Sequence, residues 1–74
     1  MDSGVSVVTL DQARQLERIT WEQVARDLSM KCKEYREPPI YAHKLWMLRT
    51  GKSQPKPYQL KALWECYAVD SFRE

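Results

Sequence analysis

The sequence predicts a single, mainly α-helical domain of four short helices. A chain of 74 residues is long enough for one domain only. Apolar residues recur at three- and four-residue spacing in four separate segments. Threonine or proline precedes these segments and a glycine follows the third, as is typical of helix ends. The composition, 43% hydrophobic and 30% charged, is that of an ordinary globular protein.

The N-terminal segment precedes a short first helix. Residues 4–10 are rich in β-branched side chains, which predicts a short strand or an extended arm. Thr9 and Gln12 have the spacing of a capping box, in which each side chain bonds the backbone N–H of the other residue. We therefore expect a helix over about residues 11–18, with Leu16 on its apolar face.

A similar pattern starts the second helix. Thr20 and Gln23 again have capping-box spacing. Apolar residues at helical spacing then continue to about residue 29. Residues 30–39 are polar and charged and end in two prolines, which predicts a loop or a frayed helix end. The expected apolar face of the helix consists of Trp21, Val24, Ala25 and Leu28.

A glycine and two prolines separate the third and fourth helices. The proline pair at 38–39 suits the start of the third helix, where a missing N–H costs nothing. Gly51 is expected to end that helix in the left-handed conformation, and Pro57 to begin the fourth. Val69 and Phe72 are expected to fold back on the fourth helix. The apolar stripe predicted for that helix is Leu60, Leu63, Trp64 and Tyr67.

Charge is distributed unevenly along the chain. The formal net charge is +2, but residues 1–30 carry −2, residues 31–61 carry +6 and residues 62–74 carry −2. A basic segment of this kind suits phosphates or an acidic protein surface. The alternative is that these cations form a solvated face.

The composition favours a binding module of the cytoplasm. No apolar run approaches the roughly 20 residues that a membrane helix needs, and the N-terminus lacks the pattern of a signal peptide. Cys32 and Cys66 are expected to be reduced thiols, and His43 is expected at the surface. Neither metal-ligand spacing nor a catalytic motif occurs. We therefore expect no cofactor, no metal, no catalytic residue and no membrane partner.

One stretch resembles a known family. From Leu45 to Leu63 the sequence reads L-x-x-L-x-x-G-K-x-x-P-x-x-x-x-L-x-x-L. This pattern resembles the C-terminal half of the Cro/repressor (XRE) helix-turn-helix family, and residues 16–28 resemble its first two helices. The resemblance implies a compact helix-turn-helix-like domain over residues 11–70, with an arm over 1–10 and a tail over 71–74. About ten residues, 30–39, stand as an insertion where the family has a short turn.

The resemblance assigns recognition-helix positions to Tyr41, Ala42, His43, Lys44, Trp46 and Met47. This face lacks the Arg, Asn and Gln side chains that most often bond bases in pairs. Trp46 is open to two interpretations: a core residue beside Leu45, or an exposed anchor for a partner. Together with the inserted segment and the turn, the expected partner-binding residues are Lys31, Lys33, Tyr35, Arg36, Tyr41, His43, Lys44, Trp46, Met47 and Lys52.

Two functions follow from these expectations. The whole chain is similar to small lytic-phage transcription regulators, a similarity that no single motif carries. It implies binding to bacterial RNA polymerase in the host cytoplasm, through protein contacts that inhibit initiation or alter termination. The alternative is an operator-binding repressor of the Cro type, whose partner is duplex DNA. The basic segment is compatible with both.

Overall fold

The structure is a computed structural model that describes residues 9–73, and these residues form four α-helices. The helices are α1 (Leu10–Glu17), α2 (Trp21–Glu34), α3 (Ala42–Thr50) and α4 (Pro57–Tyr67). The prediction of a mainly helical, four-helix domain is confirmed. No strand occurs within residues 9–73, and the arm or strand expected further toward the N-terminus falls mostly outside them. None of the helices in this part of the chain has the length and apolar character of a membrane span.

The threonine caps form at both predicted helix starts, but only the first box is complete. Thr9 Oγ1 accepts a hydrogen bond from the Gln12 N–H at 3.1 Å, and Gln12 Oε1 accepts one from the Thr9 N–H at 2.9 Å. Thr20 Oγ1 accepts from the Gln23 N–H at 3.2 Å. The Gln23 side chain instead donates to Asp27 at 2.8 Å. The second capping box is therefore wrong in its reciprocal half, because a carboxylate one turn further along takes the amide.

α2 continues through residues 30–34, which corrects the interpretation of residues 30–39 as a loop or frayed end. The side chains of Met, Lys and Glu in this segment favour helix. Packing in the tertiary structure also favours helix in this segment, because the Cys32 side chain is fully buried. The segment before α3 is therefore shorter than the sequence indicates, and part of the inserted stretch is regular helix.

α2 ends in a Schellman motif that has an arginine at its left-handed position. The Arg36 N–H donates to the Lys33 carbonyl and the Glu37 N–H donates to the Cys32 carbonyl, both at 3.0 Å. Arg36 has φ of 61°, a conformation that usually requires glycine. The motif reverses the chain and directs the following residues back along α2.

α3 begins at Ala42, so the expected start at the proline pair 38–39 is wrong. The reason is tertiary. Ile40 is fully buried, and the Ser29 hydroxyl donates to its carbonyl at 2.7 Å and accepts from its N–H at 3.1 Å. These two bonds satisfy the backbone of Ile40 outside a helix while its side chain enters the core. The helix therefore starts only after Ile40.

α2 is the central helix, and both α4 and α3 pack on it. Beyond α4 the chain turns at Ala68, which has φ of 56°, and returns Val69 and Phe72 to the core, as the sequence predicts. The core therefore extends through residue 72. Its buried apolar side chains are Leu10, Ala13, Val24, Ala25, Leu28, Cys32, Ile40, Leu45, Leu48, Ala62, Leu63, Val69 and Phe72.

Two residues expected on apolar helix faces are exposed instead. Trp64 is 57% exposed and Leu16 is 78% exposed, so their assignment to the core is wrong. α4 does bury Leu63, and Tyr67 bonds this helix to α2, since its hydroxyl donates to Asp27 at 2.9 Å. In that orientation Gln59 and Ala62 are buried and Trp64 is left outside.

Trp21, at the start of α2, joins three helices. The guanidinium of Arg49 from α3 lies 3.5 Å from the ring centroid, and that of Arg14 from α1 lies 4.8 Å from it. Such cation–π contacts add to the packing of the indole. They hold the C-terminal half of α3 against the start of α2.

We expect Gly51→Val to destabilise the protein by roughly 1–2 kcal/mol, because a side chain in the left-handed region is strained. Gly51 ends α3 with φ of 78°, as predicted, and an added Cβ would lie 2.9 Å from the Arg73 guanidinium carbon. Thermal unfolding measures the effect, at about 4–8 °C per kcal/mol for a domain of this size. Gly51→Asn is the control, since asparagine tolerates this conformation. Equal melting temperatures for the valine variant and the wild type would contradict the strained C-cap.

Candidate partner-binding surface

An exposed aromatic and basic face lies on α3 and the turn after it. We call it the α3 surface and define it as Tyr41, His43, Lys44, Trp46, Met47 and Lys52. Burial of Leu45 and Leu48 turns the opposite side of the helix outward. Three of its aromatic or imidazole side chains, those of Tyr41, His43 and Trp46, are exposed. The structure thus brings His43, Trp46 and Lys52 together on one accessible side of α3 and its turn.

Trp46 is the centre of the α3 surface. Its side chain is 44% exposed, which excludes the interpretation of Trp46 as a core residue. The His43 ring stacks on it, with ring centroids 6.1 Å apart and ring planes inclined by 20°. The ammonium group of Lys52 lies 5.7 Å from the Trp46 ring centroid. The indole of Trp46 is therefore in contact with an imidazole and a cation of the same chain.

Lys44 and Met47 lie at the edge of this surface and are only partly exposed. The Lys44 ammonium donates to Ser53 Oγ at 2.7 Å, which ties α3 to the following turn. The Met47 carbonyl accepts the N–H of Lys52 at 2.9 Å. These bonds set the position of Lys52 relative to Trp46. Lys44 and Met47 therefore support the α3 surface as well as forming part of it.

The α3 surface carries a positive formal charge. No aspartate or glutamate occurs between residues 38 and 64, whereas Lys44, Arg49 and Lys52 all lie on α3 or its turn. The first turn of α3 has no acidic residue, and within residues 9–73 its N-cap, Tyr41, makes no side-chain capping bond. The N–H groups of a helix's first turn have no partner within the helix and add to the positive end of the helix dipole. A partner with negative charge is therefore favoured.

Lys31 and Tyr35 lie apart from the α3 surface, in a cluster between α2 and α4. The Tyr35 hydroxyl donates to Glu65 at 2.7 Å. The Lys31 ammonium lies 3.4 Å from a Glu34 oxygen and 3.8 Å from a Glu65 oxygen. The Lys61 ammonium lies 4.7 Å from the centroid of the Tyr35 ring. Burial and the Glu65 carboxylate raise the pKa of Tyr35 well above its usual range. These groups join the end of α2 to α4.

Glu65 and Lys61 are the residues of this cluster that sequence reasoning missed. The sequence signal for this cluster is a spacing of four residues, which separates Lys31 from Tyr35 and also Lys61 from Glu65. It becomes informative only once α2 is known to continue to Glu34, because Lys31 and Tyr35 share a helix face only in that case.

Lys33 and Arg36 are exposed and differ from Lys31 in their partners. Within residues 9–73, neither side chain takes part in an ion pair. Arg36 also occupies the left-handed position that ends α2. A residue in an unfavoured backbone conformation is a candidate for a functional role of its side chain.

The two cysteines are free thiols, and both are at least partly buried in the domain. Cys32 is buried and Cys66 is partly buried, and burial raises the pKa of both. The Cys66 thiol donates to the Asp27 carbonyl at 3.8 Å. Among residues 9–73, no three His, Cys, Asp or Glu side chains are grouped so as to hold a metal ion.

Comparison with known proteins adds no relative: neither a protein family, nor a curated protein, nor a solved structure matches the chain.

Proposed function

We propose that this protein is a transcription regulator that binds bacterial RNA polymerase through the α3 surface, and that binding inhibits initiation or alters termination. The observation that carries the proposal is the exposed Trp46, stacked on His43 and flanked by Lys52. Tryptophan and tyrosine are enriched where protein interfaces concentrate their binding energy. The proposed resemblance of the chain to small phage regulators is the reason for naming the polymerase as the partner, in the cytoplasm of the host bacterium.

The geometry supports a protein partner better than a base-reading one. The fully outward positions of α3 are Ala42, His43, Trp46 and Thr50. None of these is an Arg, Asn or Gln, the side chains that most often bond bases. α2 and α3 are joined by residues 35–41, whereas helix-turn-helix proteins use a short turn to set the angle of groove entry.

Duplex DNA is the second candidate. It is favoured because no acidic residue occurs between residues 38 and 64. Phosphate contacts from lysine and arginine give binding that depends steeply on salt and little on sequence. On this alternative, the α3 surface would supply phosphate contacts without direct base recognition.

Two binding measurements in parallel test the proposal. Purified bacterial RNA polymerase, as core enzyme and as holoenzyme, is immobilised, and binding of the protein is followed by biolayer interferometry. Fluorescence anisotropy with generic duplex DNA is measured at about 50 and 200 mM salt. We expect saturable polymerase binding and only weak DNA binding that is lost at the higher salt. Nanomolar binding to the duplex DNA at about 50 mM salt, without affinity for polymerase, would overturn the proposal in favour of the second candidate.

A matched pair of variants tests the role of Arg36. Arg18 ends α1 in the same left-handed conformation, with φ of 56° against 61° for Arg36, and both side chains are exposed. Replacing either arginine by glycine relieves the backbone, so we expect neither variant to unfold more easily. Only Arg36→Gly should weaken polymerase binding, by about two- to fivefold, the range of a surface charge contact.

The effect of Arg36→Gly should appear as slower association, most clearly at low salt. Unfolding in urea, followed by circular dichroism, verifies that both variants are folded. Equal polymerase affinity for the Arg18 and Arg36 variants would show that Arg36 is not part of the surface that binds polymerase.

A further inference from the structure

A groove lies between the outer face of α2 and the segment that returns along it. Its volume is about 280 Å³, just below the range of about 300–1,000 Å³ that is usual for small-molecule sites. It therefore has the size to hold a side chain of a partner rather than a cofactor. The residues that line it are Arg26, Ser29, Met30, Lys33, Glu37 and Pro39.

The groove is preformed by contacts already described. Met30 is 63% exposed and lies on the same helix face as Arg26 and Lys33, four residues before it and three after it. The left-handed turn at Arg36 reverses the chain, and the two bonds between Ser29 and Ile40 fix the returning segment against α2. An exposed apolar side chain thus lies between two cations, opposite a fixed wall.

The charge at the groove is positive and largely unpaired. Lys33 makes no ion pair within residues 9–73, and the Arg26 guanidinium donates to a neutral group, the Gln23 amide oxygen, at 3.0 Å. Glu37 is the acidic residue of the lining. The complement of such a site is an apolar side chain flanked by carboxylates.

We propose that this groove is a second docking site, which takes an apolar side chain from an acidic polypeptide segment. The inference rests on the proposed function, because the segment belongs to the same polymerase that the α3 surface contacts. The two sites are close along the chain: Glu37 and Pro39 of the groove come a few residues before Tyr41, the N-cap of α3. One partner can therefore reach both sites.

The test compares variants at two exposed apolar positions. Met30→Glu places a carboxylate in the groove, whereas Leu16→Glu makes the same kind of change on α1, where Leu16 is also exposed. Met30→Leu keeps an apolar side chain. We expect Met30→Glu to weaken binding to purified RNA polymerase by about tenfold or more, as for the loss of an interface anchor. The Leu16→Glu and Met30→Leu variants should keep about the wild-type affinity.

A peptide probe tests the chemistry of the groove separately. A blocked synthetic peptide that alternates leucine with aspartate is titrated into the isotope-labelled protein, and a peptide that alternates leucine with lysine is the charge control. We expect the acidic peptide to shift the backbone amide resonances of Ser29, Met30 and Lys33, and the basic peptide to leave them in place. Equal shifts with both peptides would overturn the acidic character of the occupant.

The outcomes separate this inference from the proposed function. If Met30→Glu binds polymerase as the wild type does while a change at Trp46 abolishes binding, the groove is not a docking site and the proposed function stands. If the wild-type protein does not bind polymerase at all, the proposed function fails, and with it the polymerase as the source of the acidic segment.

Discussion

Replacing Phe72 by alanine is expected to lower the free energy of unfolding by about 3–5 kcal/mol, the usual cost of truncating a buried phenylalanine. Phe72 is only 1% exposed, although it lies beyond the last helix. Domains of this size have a total stability on the order of 5–10 kcal/mol. The variant should therefore lose a large part of its stability, and urea unfolding followed by circular dichroism measures the loss.

Two controls make the Phe72 result specific. Phe72→Leu keeps most of the buried volume and should cost far less than the alanine variant. Asp70→Ala changes an exposed residue of the same segment and should alter stability by at most about 0.5 kcal/mol. A Phe72→Ala variant that unfolds at the same urea concentration as the wild type would show that the segment after α4 is not part of the core.

Trp46→Ala is expected to weaken polymerase binding by about 30-fold or more, as for an interface residue that contributes at least about 2 kcal/mol. The indole is stacked on His43 and approached by Lys52 on the solvent side of α3. Its removal therefore takes away the apolar centre of the α3 surface and leaves the buried face of the helix intact. Biolayer interferometry on immobilised polymerase measures the affinity, and thermal unfolding measures the stability.

Trp64→Ala is the matched control for Trp46→Ala. Trp64 is also exposed, to 57%, but it lies on α4, and its truncation removes the same atoms. We expect this variant to bind polymerase as the wild type does. Equal losses of affinity in both variants would mean that no particular tryptophan anchors the partner. A Trp46 variant that fails to fold would show that this residue contributes to the stability of the domain.

Sequence patterns predicted the ends of helices best where the hydrogen bond or backbone conformation that fixes the end lies within one helical turn. The Thr9 box and the Thr20 cap each join residues three positions apart, so helix starts follow from neighbouring residues. The end of α3 follows from Gly51 alone, because a left-handed residue needs no distant partner. The α3 surface could be outlined in the same way, since residues three and four apart on a helix share a face.

The remaining features depended on contacts that join distant parts of the chain. Tyr35 reaches Glu65 across 30 residues and Tyr67 reaches Asp27 across 40 residues. These contacts keep α2 and α4 together, and the second accompanies the exposure of Trp64. No local pattern contains this information, because a helical repeat specifies which residues share a face but not which face becomes the core.

The sequence by itself determined four helices, the threonine caps that begin α1 and α2, the glycine that ends α3 and an uneven charge distribution, since each depends on residues a few positions apart. Only the tertiary structure decided where α2 ends, where α3 begins and which tryptophans are exposed. Ser29 shows the physical reason: its hydroxyl bonds the backbone of Ile40, eleven residues away. That contact delays α3 and helps form the groove beside Met30, and it exists only once the chain has folded.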